Sequence, residues 1–202
     1  TRKAAQKMLF AATDFKDNEN FKYDLVDILR QSIADKGNLL SSQISEAYER
    51  KDMERFKILA DSFLMAIQCQ DKLLATHRDF RVGTWTEQAK SLSANEANEK
   101  LYEWNARTLI TVWGNKAASE KGGLHDYSNR EWNGILGDLY YQRWKLFFEN
   151  KIREMSGEKV DPIDFFRMEE NWTYDTKAYN SRSEGDVLKV GQEVYNTVIG
   201  SF

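Results

Sequence analysis

The sequence has one proline, Pro162, and one cysteine, Cys69, in 202 residues. Proline breaks helix interiors, so its near absence permits long helices almost anywhere. A lone cysteine excludes an internal disulfide, and without a second thiol it reads as a small packed side chain. Two histidines without matching ligand spacing make a poor metal site, so no metal is expected. No run is apolar enough to cross a bilayer, which excludes membrane insertion by a helix. A net charge of -3 lacks the basic excess that a nucleic-acid partner requires. Nucleotide cradles, zinc spacings and nucleophile elbows are all missing, and no cofactor is expected.

What is present describes a folded globular chain. Hydrophobic residues make up 41% and charged residues 30%, too apolar for disorder. Aromatic residues at 13% imply several buried or cleft-lining rings. The length fits a single domain over residues 1–202, with no solenoid repeat and no internal boundary. The first residue is Thr1, with no basic-then-apolar segment before it. The expectation is a piece of something longer.

Hydrophobic periodicity predicts an all-α, antiparallel multi-helix bundle with two long N-terminal helices. One runs from Tyr23 to about Lys51, with Leu25, Leu29, Ile33, Leu40 and Ile44 on its stripe. Gly37 falls on that stripe and predicts close approach of a neighbouring helix. The second runs from Asp52 or Met53 to about His77, with Phe56, Ala60, Phe63, Ile67 and Leu74 along one side. His77 is expected to favour the negative end of that helix. Three capping-box spacings, Thr84/Glu87, Ser93/Glu96 and Ser128/Glu131, predict three further helix starts. Tyr127 and Trp132 would then form a hydrophobic staple. Gly114 predicts a left-handed helix end. Asp161 with Pro162 predicts another start, and Val187, Val190, Val194 and Val198 anchor a terminal helix.

The carboxylates carry no obvious catalytic pair. Glu169 and Glu170 read as a solvated helix face, and Asp24 and Asp27 beside Arg30 as a salt-linked one. More informative is an irregular crossing, where Trp104, Asn105, Arg107 and Trp113 precede a glycine-bearing loop and His125, Asp126 and Tyr127 follow it. Loops held on rigid helices often carry binding residues. Trp and Tyr offer flat faces to sugar C–H groups and a polar edge to hydroxyls. From the residues alone, core packing is the simpler account of each ring.

The blocks FKYDLVDILRQ (21–31), GTWTEQA (83–89), NARTLITVWG (105–114) and LHDYSNREWNGILGDLYYQRWKLFFE (124–149) occur in this order. Together they resemble the C-terminal helical domain of the alpha-N-acetylglucosaminidases, glycoside hydrolase family 89, over most of the chain. The resemblance implies a larger polypeptide that removes terminal alpha-linked N-acetylglucosamine from glycans. A small N-terminal domain and a TIM-like barrel would precede this chain as its partners. The two catalytic carboxylates would sit on the barrel, leaving no catalytic residue here. Trp113, Tyr127 and Leu124 would bind substrate, with Arg107, Asp126 and Ser128 supporting them. Arg143 would join Arg107 in holding helices together, and Tyr140 and Trp144 would be core. Relatives in the family are extracellular, periplasmic or lysosomal. Two rival readings are a free-standing helical binding or scaffold module and a hydrolase complete within this chain.

Overall fold

A computed structural model describes residues 1–124 and 126–200, with the backbone alone at Glu120. Among the described residues the chain forms helices and irregular segments without a strand. The α-helices are α1 (Arg2–Ala11), α2 (Glu19–Glu49), α3 (Met53–Leu74), α4 (Val82–Lys90), α5 (Glu96–Leu109), α6 (Tyr141–Met155), α7 (Phe165–Tyr174) and α8 (Val187–Val194). Wider π-helical turns precede α6 at Leu136–Tyr140, follow α8 at Tyr195–Ile199, and occur in the loop beyond α5 at Ala117–Lys121.

The two long helices are α2, of 31 residues, and α3, of 22. At about 1.5 Å per residue α2 is roughly 46 Å long. It starts four residues before the expected position because the Asn18 side chain accepts from the Phe21 amide at 3.0 Å. A tight turn through Lys51, at φ 56°, reverses the chain, and Asp52 caps α3 through the Arg55 amide at 3.1 Å. The two helices therefore pack antiparallel. An added Cβ at Gly37 would lie 3.9 Å from the Phe63 ring, an ordinary contact, so the helix approach there does not require glycine.

Three apolar clusters fill the bundle. The first joins Leu25, Leu29 and Ile33 of α2 to Leu73 and Leu74 of α3 and to Val187, Val190 and Val194 of α8, with Cys69 packed at its edge. The second gathers Ile44, Phe56, Ala60 and Phe148 under Phe63 and Trp144. The third, Val82, Ile110, Ile135, Leu139 and Trp172, lies beneath α4, α5 and α7. It is the platform for the irregular crossing.

Several helix starts differ from those the sequence suggests, two of them because another residue makes the cap. S/T-x-x-E spacing arises often by chance, while an Asn or Asp nearby makes the actual cap. Asn95, not Ser93, caps α5 through the Asn98 amide at 3.0 Å. Asp164, not Asp161 with Pro162, caps α7 through the Arg167 amide at 3.0 Å. Helix α4 begins at Val82, before Thr84, whose hydroxyl instead donates to the Arg78 carbonyl at 2.7 Å. Helix α3 ends before His77, which accepts from the Asp79 amide and packs its ring against Tyr23 and Phe80.

At Gly83 the backbone of α4 touches another segment, and an alanine Cβ would lie 2.4 Å from the Asn180 carbonyl oxygen. Gly83→Ala should therefore cost about 1–3 kcal/mol through overpacking. In denaturant unfolding this appears as a lower midpoint at unchanged slope. An unchanged midpoint would show that the segment around Asn180 yields freely.

Candidate functional site

The crossing is built where α5 gives out. Ile110, Thr111 and Val112 are buried, Ile110 within the third cluster. Trp113 then takes φ 62°, a left-handed conformation that bulky residues rarely adopt, so Trp113 rather than Gly114 ends the helical region. Its amide still reaches the Thr108 carbonyl at 2.9 Å. The loop that follows is pinned at its base, where Ser119 is buried and donates its hydroxyl to the Val112 carbonyl.

The chain returns along Leu124, whose amide bonds the Ser119 carbonyl at 3.0 Å. His125 lies outside the described residues. Asp126 adopts φ 58° and its amide bonds the Thr111 carbonyl at 3.2 Å. Two non-glycine residues with positive φ thus face each other across the crossing, each costing on the order of 1–3 kcal/mol. The result is a rim where the Trp113 and Tyr127 rings meet edge to face, 5.5 Å between centroids. Tyr127 is 68% exposed and Leu124 half-buried, so the rim presents rings to the outside.

Ser128 and Glu131 do not open a helix. Residues 128–134 are irregular, and helical structure resumes with Ile135 and the turn Leu136–Tyr140. The Glu131 carboxylate is taken by Arg30 Nη1 at 2.9 Å and Gln70 Nε2 at 3.0 Å. Arg30 also binds Asp27, as the salt-linked face implied. Trp132 leans on Trp85 at 6.0 Å, so no staple with Tyr127 forms. Asp71 directs the return: its carboxylate accepts from the amides of Gly134 at 2.7 Å and Gly137 at 2.9 Å, and from Asn133 Nδ2 at 2.8 Å. Gly134 sits at φ 96°, where a Cβ would lie 2.6 Å from Val82, so glycine is required there.

Two arginines hold this frame. Arg107 is fully buried and donates to Glu103 at 2.6 Å and to the Lys177 carbonyl at 2.6 Å, under the rings of Trp172 and Tyr179. It ties α5 to α7 and the segment beyond. Arg143 of α6 donates to both Asp126 oxygens at 3.0 and 3.1 Å and to Glu169 of α7. Glu169 is fully buried, which overturns its reading as a solvated residue. Helical spacing contains the signal, since Phe166, Glu169, Trp172 and Thr173 form the buried face of α7. Glu170 instead pairs with exposed Arg167. Beside Arg143 is a hollow of about 400 Å³ lined by Asp126, Asn129, Tyr140, Trp144, Phe147 and Phe165. The Tyr140 and Trp144 rings belong to the packed interior around it, as expected, and burial raises the Tyr140 phenol above its ordinary range. Carboxylates gathered on one guanidinium suit holding a shape better than transferring a proton. Among the described residues no cluster of His, Cys, Asp and Glu suits a metal ion.

Known proteins are similar to this chain over most of its length. Residues 1–197 match the family model described as Alpha-N-acetylglucosaminidase (NAGLU) C-terminal domain. The human alpha-N-acetylglucosaminidase is 27% identical over 197 residues, which cover 93% of this chain and 25% of that protein. A family 89 glycoside hydrolase from Clostridium perfringens in complex with PUGNAc superposes with a TM-score of 0.92 at 31% identity, covering 98% of this chain and 23% of that one. A doubly substituted form of the Clostridium perfringens enzyme, in complex with its substrate GlcNAc-alpha-1,4-galactose, superposes at 0.91 with 32% identity, covering 96% of this chain and 23% of that one. The chain therefore spans about a quarter of the length of these relatives.

Burial pushes the Asp71 carboxyl above the ordinary range, and Asp138 adds to the rise; the donors from Gly134, Gly137 and Asn133 oppose it. A carboxyl with a folded pKa above its unfolded value, about 3.9, contributes stability fully at pH below that value. This contribution is lost as pH rises through the folded value. Wild-type unfolding free energy should therefore fall relative to Asp71→Asn as pH is raised from about 3.5 to 6. A relative rise would mean that the donors outweigh burial.

Proposed function

The chain belongs to the family of alpha-N-acetylglucosaminidase C-terminal domains, and from that premise we propose that it is one wall of the substrate cleft in an exo-acting glycosidase. The substrate class is a glycan ending in alpha-linked N-acetylglucosamine. The partner is the preceding part of the same polypeptide, a small domain and a barrel that supplies both reacting carboxylates. One would attack the anomeric carbon while the other serves first as acid and then as base, with about 5–5.5 Å between them. The working compartment is extracellular, periplasmic or lysosomal. Among the described residues no helix is long and apolar enough to cross a membrane.

The observation that carries this reading is the rim of Trp113, Leu124 and Tyr127. The backbone accepts two left-handed non-glycine residues there, and the Tyr127 ring is left open to solvent. Strain of this kind persists only where surrounding bonds over-determine it, and it concentrates at binding sites. Against a barrel, the rings would close on a sugar face, exclude water and orient the scissile bond. Asp126 fixes the path between the two rings, and Arg107 holds the helix from which Trp113 emerges. Ser128 contributes through its place in the loop.

In the full-length enzyme, Trp113→Ala should lower kcat/KM for an aryl alpha-N-acetylglucosaminide about tenfold or more, a loss of roughly 1.4 kcal/mol or more in transition-state binding. Glycine adopts φ 62° without penalty, so Trp113→Gly should show the same loss with no drop in melting temperature. Wild-type activity with reduced stability would make Trp113 a core residue only. The 202-residue chain alone should give no turnover of the same substrate, and sustained hydrolysis by it would place the catalytic pair within this sequence.

A further inference from the structure

We propose that Glu169, on α7 and away from the rim in sequence, is a positioning residue for the sugar-facing wall, acting through Arg143 on Asp126. The inference rests on the reading of the Trp113–Tyr127 rim as cleft wall. Its physical basis is the route by which charge reaches the rim. Glu169 is fully buried, and a buried carboxylate is retained only with a charged or hydrogen-bonding partner. Arg143 provides one, as its Nη1 bonds Glu169 and both Asp126 oxygens. The guanidinium is held from two sides, 5.4 Å from the Tyr140 ring centroid and 5.3 Å from that of Phe165. With the arginine so enclosed, the two carboxylates determine where its Nη1 points.

The end of this relay is the part of the chain that cannot hold its own conformation. Asp126 sits at φ 58°, and its amide bonds Thr111, two residues before Trp113. The next residue is Tyr127, whose ring leans on Trp113. A turned Arg143 gives up its two bonds to the Asp126 carboxylate, shifts that residue and moves the two rings apart. Three elements remote in sequence, α7, α6 and the crossing, thus converge on one setting of the rim. Glu169 touches no substrate in this account. It sets the geometry of groups that do.

The test is a double-mutant cycle in the full-length enzyme, with Glu169→Gln, Trp113→Gly and both together. Glutamine keeps the shape of the side chain and one acceptor but gives up the charge. Glu169→Gln should raise KM for an aryl alpha-N-acetylglucosaminide about tenfold while kcat per active site stays within about threefold. Simple loss of folded enzyme would lower the number of active sites and leave KM unchanged. In the Trp113→Gly background the Glu169→Gln change should add less than about twofold, because Glu169 acts through the setting of the Trp113–Tyr127 ring pair, which that background lacks. A fully additive loss, or a wild-type KM in Glu169→Gln, overturns the relay while an impaired Trp113→Gly enzyme leaves the rim reading standing. Wild-type kcat/KM in Trp113→Gly overturns the rim reading and the relay with it. If Glu169→Gln does not fold, Arg143→Lys takes its place in the same cycle, since lysine keeps the charge on a shorter side chain that falls back from the two carboxylates. The same non-additivity is then expected, and additivity again overturns the relay.

Discussion

One guanidinium, that of Arg143, joins three segments of the chain by charged hydrogen bonds. It projects from α6, binds Glu169 on α7, and binds Asp126 in the crossing between α5 and the return segment. Of the three charges Glu169 alone is fully buried, so weakening its pairing with Arg143 carries the largest cost. The left-handed residues at Trp113 and Asp126 are held by backbone bonds to Thr108 and Thr111, and Asp126 also by its charged bonds to Arg143.

The same device recurs on the far side of the third cluster. Residues 175–186, between α7 and α8, have no helix to satisfy their carbonyls. Arg107 reaches the Lys177 carbonyl, and Arg81, only 3% exposed, reaches the Asn180 and Ala75 carbonyls and Glu184. Buried backbone oxygens need donors, and an arginine fork supplies several from one side chain. The long helices α2 and α3 provide bulk and stability. The irregular segments on which the proposed function depends are held by arginines inserted among them.

This division explains what could be read in advance. The stripes on α2, α3 and α8 are local and periodic, so Leu25, Leu29, Ile33, Phe56, Phe63 and Val190 were legible as interior residues. The identity of the rim residues came from a resemblance in residues 105–149, not from periodicity. Helix starts were less legible because the capping-box pattern at Ser128 and Glu131 ignores distant competitors. Glu131 is claimed by Arg30, 101 residues away, and by Gln70, 61 residues away. Glu169 was hidden for a different reason: its charge suggested a solvated face, although its spacing from Phe166 and Trp172 placed it on the buried one. A charge on an apolar stripe marks a partner elsewhere in the fold, here Arg143.

The central claim is that the crossing faces bound sugar. Amide hydrogen exchange of the full-length polypeptide, with and without an N-acetylglucosamine-like iminosugar, tests it directly. The account predicts slower exchange on binding in residues 111–130, with no change in residues 38–60 at the far ends of the long helices. Equal exchange across residues 111–130 in both states, under saturating inhibitor, would contradict it.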